Sequence, residues 1–207
     1  MKALSTYQNF YFVGIGGIGM SALARYFNAS GKKVMGYDKT ATKITSALIS
    51  EGIDIIFEDV VSDETKHLNG KGFTVLKRAK VLGLITENTA CIAVEGTHGK
   101  TTTSSLVAHL CKEADLSFSA FLGGIAENFK SNFLYNGNDI SVVEADEYDR
   151  SFLNLSPDWA VITSTDADHL DIYGDKATIE QGFRDFADLV PSENQLFVRK
   201  GINIGRN

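Results

Sequence analysis

Cysteine is scarce in this chain: Cys91 and Cys111 are the only two in 207 residues, and each sits inside an apolar pattern. They read as small core residues in a reducing cytosol, which excludes a disulfide framework or a cysteine metal pair. Positive charge is also short, with 20 Lys and Arg against 26 Asp and Glu and a formal net charge of −6. That balance excludes a general nucleic-acid binder, whose affinity comes from clustered Lys and Arg, while leaving local phosphate sites open. No apolar run approaches the ~18 residues that a bilayer span needs. Residues 1–9 hold no apolar stretch with a cleavage site, so no signal peptide is visible. A soluble, cytoplasmic protein that meets neither membrane nor nucleic acid is expected. Internal repeats, low-complexity tracts, a Ser-His-Asp arrangement, a cysteine cluster and H-E-x-x-H are all missing. The remaining composition, 43% apolar and 22% charged, is that of an ordinary globular protein with room for one large or two small domains.

What is present centres on Val94-Glu95-Gly96-Thr97-His98-Gly99-Lys100-Thr101-Thr102-Thr103. An apolar run, 90–94, precedes it and an amphipathic run follows, which predicts a buried strand, a glycine turn and a helix N-terminus. The N–H groups of such a first turn, with the positive end of the helix dipole, make an anion site. Gly96 and Gly99 let the backbone approach a phosphate. Lys100 brings a mobile positive charge to the outer phosphates, and the Thr101 hydroxyl is placed to ligate Mg²⁺. The strict pattern G-x-x-x-x-G-K-[ST] wants glycine at position 94, where this chain has Val94. His98 stands open between a nucleotide contact and plain packing.

A second glycine turn lies near the start. Strand 10–13 runs into Gly14-Ile15-Gly16-Gly17-Ile18-Gly19, and residues 20–29 carry Ala22, Leu23, Tyr26 and Phe27 at helical spacing. Strand, G-x-G-x-x-G and helix open a dinucleotide-type fold. Strand 33–37 follows and ends at Asp38, an acid placed to accept hydrogen bonds from a ribose or base. These residues alone point to NAD, although the motif reports a diphosphate near a helix and not which nucleotide carries it. A helix at 41–51 and a strand at 53–57 come next. The stretch 58–72 is too short and too polar for a further buried strand and crossover helix. Residues 73–77 nevertheless read as a strand and 78–87 as a helix, so either the sheet is reduced here or residues are missing from the sequence.

The second half predicts a helix after the phosphate loop with Leu106, Val107, Leu110, Cys111 and Ala114 on its buried face. A strand at 118–122 leads into a Gly123-Gly124 turn fit to line a cleft. Strands at 139–143, 159–163 and 195–199 follow, with a helix at 178–190 that sets Phe183, Phe186, Ala187 and Val190 on one face. The fold class is therefore α/β, with a Rossmann-like domain at 1–88 and a P-loop-type parallel-sheet domain at 89–207. Ligands of open parallel sheets bind at the carboxyl ends of the strands. Three polar clusters fall there: the phosphate loop, Glu144 with Asp146 and Glu147, and Asp168 with His169. Glu144 sits where an acid holds Mg²⁺ directly or through water. His169 is an unusual partner for magnesium, which prefers oxygen, and Asp168 is placed to orient its imidazole. Glu147, Asp149 and Arg150 read as a solvated or substrate-facing loop.

Four stretches, in order and character, resemble the Mur ligase family, most of all its alanine-adding branch. They are Phe12-Val13-Gly14-Ile15-Gly16-Gly17-Ile18-Gly19-Met20-Ser21, Gly96-Thr97-His98-Gly99-Lys100-Thr101-Thr102-Thr103, Glu144-Ala145-Asp146-Glu147 and Asp168-His169-Leu170-Asp171-Ile172-Tyr173-Gly174. The resemblance runs from about Phe10 to Arg199 and implies a shorter Gly-Thr-x-Gly-Lys-Thr loop, which accounts for Val94. It implies that Gly14, Ile15, Gly16, Gly17, Ile18 and Gly19 hold the diphosphate of a UDP-sugar instead of NAD, with Asp38 near the uridine. Gly96, Thr97, His98, Gly99, Lys100, Thr101 and Thr102 would take ATP. Mg²⁺ would sit on Thr101, Glu144 and His169, and Lys100, Glu144 and His169 would be the catalytic groups.

The implied reaction belongs to peptidoglycan precursor synthesis. ATP phosphorylates the lactyl carboxylate of UDP-N-acetylmuramate, and the amine of L-alanine then displaces phosphate from the acyl phosphate. A carboxylate is a poor electrophile and the two reacting anions repel, so Mg²⁺ and Lys100 must offset the charge. A rival branch joins a tripeptide to the same sugar nucleotide. An NAD-dependent oxidoreductase and a non-catalytic nucleotide-binding fragment are the readings outside ligase chemistry. A monomer or homodimer is expected. The family also carries a C-terminal domain that closes over ATP, and it usually has a small neutral residue where Glu95 stands. Weak or no activity is therefore expected from these 207 residues by themselves.

Overall fold

The computed structural model describes residues 4–58, 73–145, 148–166 and 176–204. Two compact units make up the chain, Met1–Val81 and Leu82–Asn207. This division falls within a helix, a few residues ahead of the 88/89 boundary suggested by the motifs.

In the first unit, β1 (Asn9–Val13), β2 (Lys33–Tyr37) and β3 (Asp54–Ile56) form a parallel sheet in the order β1-β2-β3. Parallel neighbours need crossovers, which α1 (Ile18–Ala29) and α2 (Lys43–Ser50) supply. The inner face of α1 buries Ala22, Leu23, Ala24 and Phe27, and Phe27 stacks on Phe10 of β1 with ring centroids 3.8 Å apart. Thr42 and Thr45 close a capping box at the start of α2. Arg25, buried on α1, grips the carboxylate of Glu51 just past α2: Nε donates to Oε2 and Nη2 to Oε1, each at 2.8 Å. The strand expected at 73–77 does not form. Phe73 and Val75 are 60% and 49% exposed, and among the described residues no strand pairs with that stretch. Alternating apolar residues need a ladder partner to become a strand, and here the chain passes directly into α3 (Arg78–Thr86).

The second unit holds a six-stranded sheet in the order β6-β5-β7-β4-β8-β9. Its strands are β4 (Ala90–Glu95), β5 (Phe118–Ala126), β6 (Ser131–Tyr135), β7 (Ile140–Glu144), β8 (Trp159–Ile162) and β9 (Leu196–Val198). All neighbours are parallel except β5 and β6, so the sheet is mixed at one edge and β6 adds a strand to the expected set. Ala93 and Val94 in β4, Val142 and Val143 in β7, and Ala160 and Ile162 in β8 have no exposure, as central parallel strands require. Cys91 and Cys111 are buried free thiols, matching their reading as core residues.

Helix α4 (Lys100–Glu113) packs Ala108 and Cys111 into a cluster with Phe118, Ala120, Leu122, Ala126 and Val142. Of the expected face, Cys111 is buried and Val107 packs against this cluster, whereas Leu106 and Leu110 are 57% and 60% exposed, Ala114 is exposed too, and Ser104 and Ala108 complete the inner face. Small residues let the helix approach the sheet closely, and the bulkier leucines turn outward. In α5 (Lys176–Ala187), Phe183, Phe186 and Ala187 are buried as expected, and Phe186 meets Phe152 edge-on at 5.8 Å. Among the described residues, no helix is long and apolar enough to cross a membrane.

Candidate active site

Four residues, 96–99, carry the chain from the end of β4 to the start of α4. Gly99 caps the helix in the left-handed region, at φ +84°. Gly96 lies at φ +143°, where a Cβ would run into the Thr163 hydroxyl and stand 2.8 Å from Ser164 N. Both positions exclude a side chain on backbone grounds. The segment after β8 fastens the turn. Thr163 donates from its backbone N–H to Glu95 O at 3.0 Å, and its hydroxyl lies 2.6 Å from His98 O. His98 N donates to Ser164 Oγ at 2.6 Å, and Thr97 N donates to Ser164 O at 3.2 Å. The amides of Thr97 and His98 thus serve the fold, leaving an incoming anion to the first turn of α4. Thr163 and Ser164 escaped the sequence reading, because their role comes from the β4–β8 pairing and from no motif.

The register Val94↔Glu144 sets the end of β7 beside the phosphate loop. There Thr101 Oγ1 donates to Glu144 Oε2 at 3.0 Å, while Ser104 Oγ and Gly123 N approach Oε1 at 2.8 and 2.7 Å. Lys100 Nζ donates to Gly96 O at 2.6 Å, which holds the ammonium over the loop. Gly123 and Gly124 form no turn. They belong to β5, where its ladder with β6 slips between Phe121↔Phe133 and Ala126↔Ser131. A Cβ on Gly123 would strike the Glu144 carboxylate, 3.1 Å from its Cδ. The hydroxyl of Thr101 and the carboxylate of Glu144 are hard oxygen donors of the kind Mg²⁺ takes. Glu95 is 1% exposed, so its carboxylate is enclosed at the end of β4 instead of standing on the loop surface.

Asp146, Glu147, Asp168 and His169 lie outside the described residues, as do the side chains of Asp149 and Arg150. Among the described residues, no group of three or more His, Cys, Asp and Glu gathers for a metal ion.

The first glycine loop is also tied inward. Gly14 N and Ile15 N both donate to Tyr37 O, at 2.8 and 3.0 Å. Ile15 is fully buried above Gly36, where a Cβ would stand 2.6 Å from its Cδ1, so its side chain packs the core. Gly17 is the N-cap of α1, which Ile18 opens. Asp38 Oδ2 accepts from Gly16 N at 2.7 Å and Oδ1 from Thr40 N at 3.1 Å. Gly19 makes room for Arg78, whose Nη1 would be 2.8 Å from a Cβ there.

Two family descriptions match this chain: "Mur ligase family, catalytic domain" over residues 9–89 and "Mur ligase middle domain" over residues 94–206. A Christiangramia forsetii protein named UDP-N-acetylmuramate–L-alanine ligase is 47% identical over 229 residues, covering 99% of this chain and 51% of that protein. A Flavobacterium psychrophilum protein of the same name is 49% identical over 232 residues, covering 99% and 52%. The chain thus spans about half the length of the curated relatives it matches. Among solved structures, a UDP-N-acetylmuramate:L-alanyl-gamma-D-glutamyl-meso-diaminopimelate ligase from Neisseria meningitides superimposes with a TM-score of 0.81 at 25% identity, covering 96% of this chain and 73% of that one. A UDP-N-acetylmuramate-alanine ligase from Thermotoga maritima gives 0.80 at 28% identity, covering 96% and 50%. With two glycine loops on two α/β units and matches across nearly its whole length, the chain belongs to the Mur ligase family.

Proposed function

We propose that this chain supplies the sugar-nucleotide and ATP sites of a ligase joining L-alanine to the lactyl carboxylate of UDP-N-acetylmuramate. The observation that carries the reading is the Thr101–Glu144 oxygen pair, 3.0 Å across, beside Lys100 at the carboxyl end of β4. The choice of alanine rests on the names of relatives that are 47% and 49% identical.

In this reading residues 1–88 receive the UDP-sugar and residues 89–207 receive ATP. The first turn of α4 faces the phosphates, and Lys100 exchanges Gly96 O for a phosphate oxygen. Thr101 and Glu144 would hold Mg²⁺, with His169 as a further partner. When bound, Mg²⁺ neutralises triphosphate charge and ATP supplies the phosphoryl group that makes the carboxylate electrophilic. The protein's own work is to bring two anions into line and keep them there. Asp38 accepts backbone amides of the loop and the following turn and so orders the glycine loop, while the choice of a UDP-sugar over NAD rests on the names of the relatives. We take the protein to act in the cytoplasm, as a monomer or homodimer. Two free buried thiols suit a reducing compartment.

Calorimetry tests the ATP site. Lys100→Ala is expected to lose at least about tenfold in ATP affinity, the worth of one charge-assisted bond. Undiminished binding would overturn the reading. The match to the Neisseria structure favours a second reading, in which the acceptor is a tripeptide. Rates with L-alanine and with L-Ala-γ-D-Glu-meso-diaminopimelate, compared in the full-length protein, separate the two.

A further inference from the structure

We infer that Ser104 and the Gly123 amide are positioning groups that fix the Glu144 carboxylate for a divalent cation. The inference rests on the phosphate-loop reading above. Ser104 sits one turn after Lys100 on α4 and is fully buried. Its hydroxyl lies 2.8 Å from Glu144 Oε1 and 2.9 Å from Lys100 O. Of these two acceptors the charged one makes the stronger bond. Gly123 N reaches the same Oε1 at 2.7 Å. A serine that merely back-bonded to its own helix would not explain why an amide from β5 converges on that oxygen.

The two oxygens of Glu144 are thereby given different tasks. Oε1 is tied to α4 and β5, and Oε2 faces Thr101 Oγ1 at 3.0 Å. Adjacent oxygens of an octahedron with bonds of about 2.0–2.1 Å stand about 2.9–3.0 Å apart, so this pair already has the spacing of two neighbouring Mg²⁺ ligands. Only the hydroxyl hydrogen of Thr101 needs to turn away. Released from Ser104 and Gly123, the carboxylate would rotate about its last bond and carry Oε2 out of place. Outer partners of this kind are typically worth about 10–100-fold in metal affinity.

The test measures ATP binding to the 207-residue chain by calorimetry, once with Mg²⁺ and once with EDTA. Wild type is expected to bind more tightly with Mg²⁺. Ser104→Ala, which removes the hydroxyl, and Ser104→Cys, which leaves only a weak donor, should each lose about tenfold or more of the Mg²⁺-dependent gain and keep their affinity for metal-free ATP. Ser104→Thr, which restores the hydroxyl, should recover the gain. Electron paramagnetic resonance of Mn²⁺ with ATP should rank the variants in the same order. An unaltered Mg²⁺ gain in both variants, or equal losses with and without metal, overturns the inference. If Ser104→Ala does not fold by circular dichroism, Ser104→Cys decides, because it keeps the size of the side chain closest to that of serine. A wild-type chain that binds no ATP in either condition overturns the phosphate-loop reading itself.

Discussion

Burial pushes the Cys91 thiol up to about 12, because a thiolate within β4 would lack water; Asp158 adds to the rise and a hydrogen bond with Ser141 opposes it. In the unfolded chain the same thiol ionises near its ordinary 9.0. The folded state therefore keeps a proton that the unfolded state releases. Its contribution is complete below about pH 9 and drains away as pH rises toward 12. Urea titrations at pH 8 and pH 10.5 should show wild type losing up to about 2 kcal/mol more than Cys91→Ala over that interval. Equal losses would show that the thiol titrates normally. At Gly96, φ +143° and the closeness of Ser164 N leave no place for a methyl group. Gly96→Ala is expected to cost about 1–3 kcal/mol in a thermal or urea melt and to weaken ATP binding with it. The turn of Gly96 and Gly99 into Lys100 and Thr101 was legible because its spacing is a local property, and the place of Glu144 because it ends an apolar run. Ser104, Thr163 and Ser164 were not, since a lone hydroxyl acquires meaning only from the strands and helix beside it.

At the level of elements, the sharpest test concerns α4, where hydrophobicity and burial part company. Leu106→Gln and Leu110→Gln should change stability by less than about 0.5 kcal/mol, as exposed positions do. Ala108→Leu, on the face against β5 and β7, should cost about 1–3 kcal/mol by overpacking. Chemical denaturation of the three variants checks this, and a larger cost at the leucines would restore the face drawn from the sequence. The sequence reading was right at Cys111 and Val107 and wrong at Leu106 and Leu110, because apolar character drew the stripe toward the leucines, whereas the sheet takes Ser104 and Ala108. Strands β2 and β4 were readable as continuous apolar runs between turns. β6 was not, since Asn132-Phe133-Leu134 neither alternates nor forms a long run, and its pairing with β5 is what makes it a strand. Residues 73–77 failed in the opposite sense, carrying a strand-like pattern that pairs with no strand among the described residues.

Across the whole molecule, each unit carries its own glycine loop on its own sheet. UDP-N-acetylmuramate and ATP should therefore titrate as two separate sites in calorimetry, with Lys100→Ala removing the second and sparing the first. One shared site, or loss of both, would contradict the two-loop assignment.

From Phe121 to Ala126 one strand takes five steps while its neighbour, Phe133 to Ser131, takes two. The residues between have no partner on β6 in that ladder, and among them is Gly123, whose main-chain N–H meets Glu144. Removing Leu122 would reverse which side every following residue presents, and the Gly123 amide would look away from Glu144. The corner is thus open to changes of chain length, which a point-mutation scan never samples, as well as to substitutions at Ser104 and Gly123.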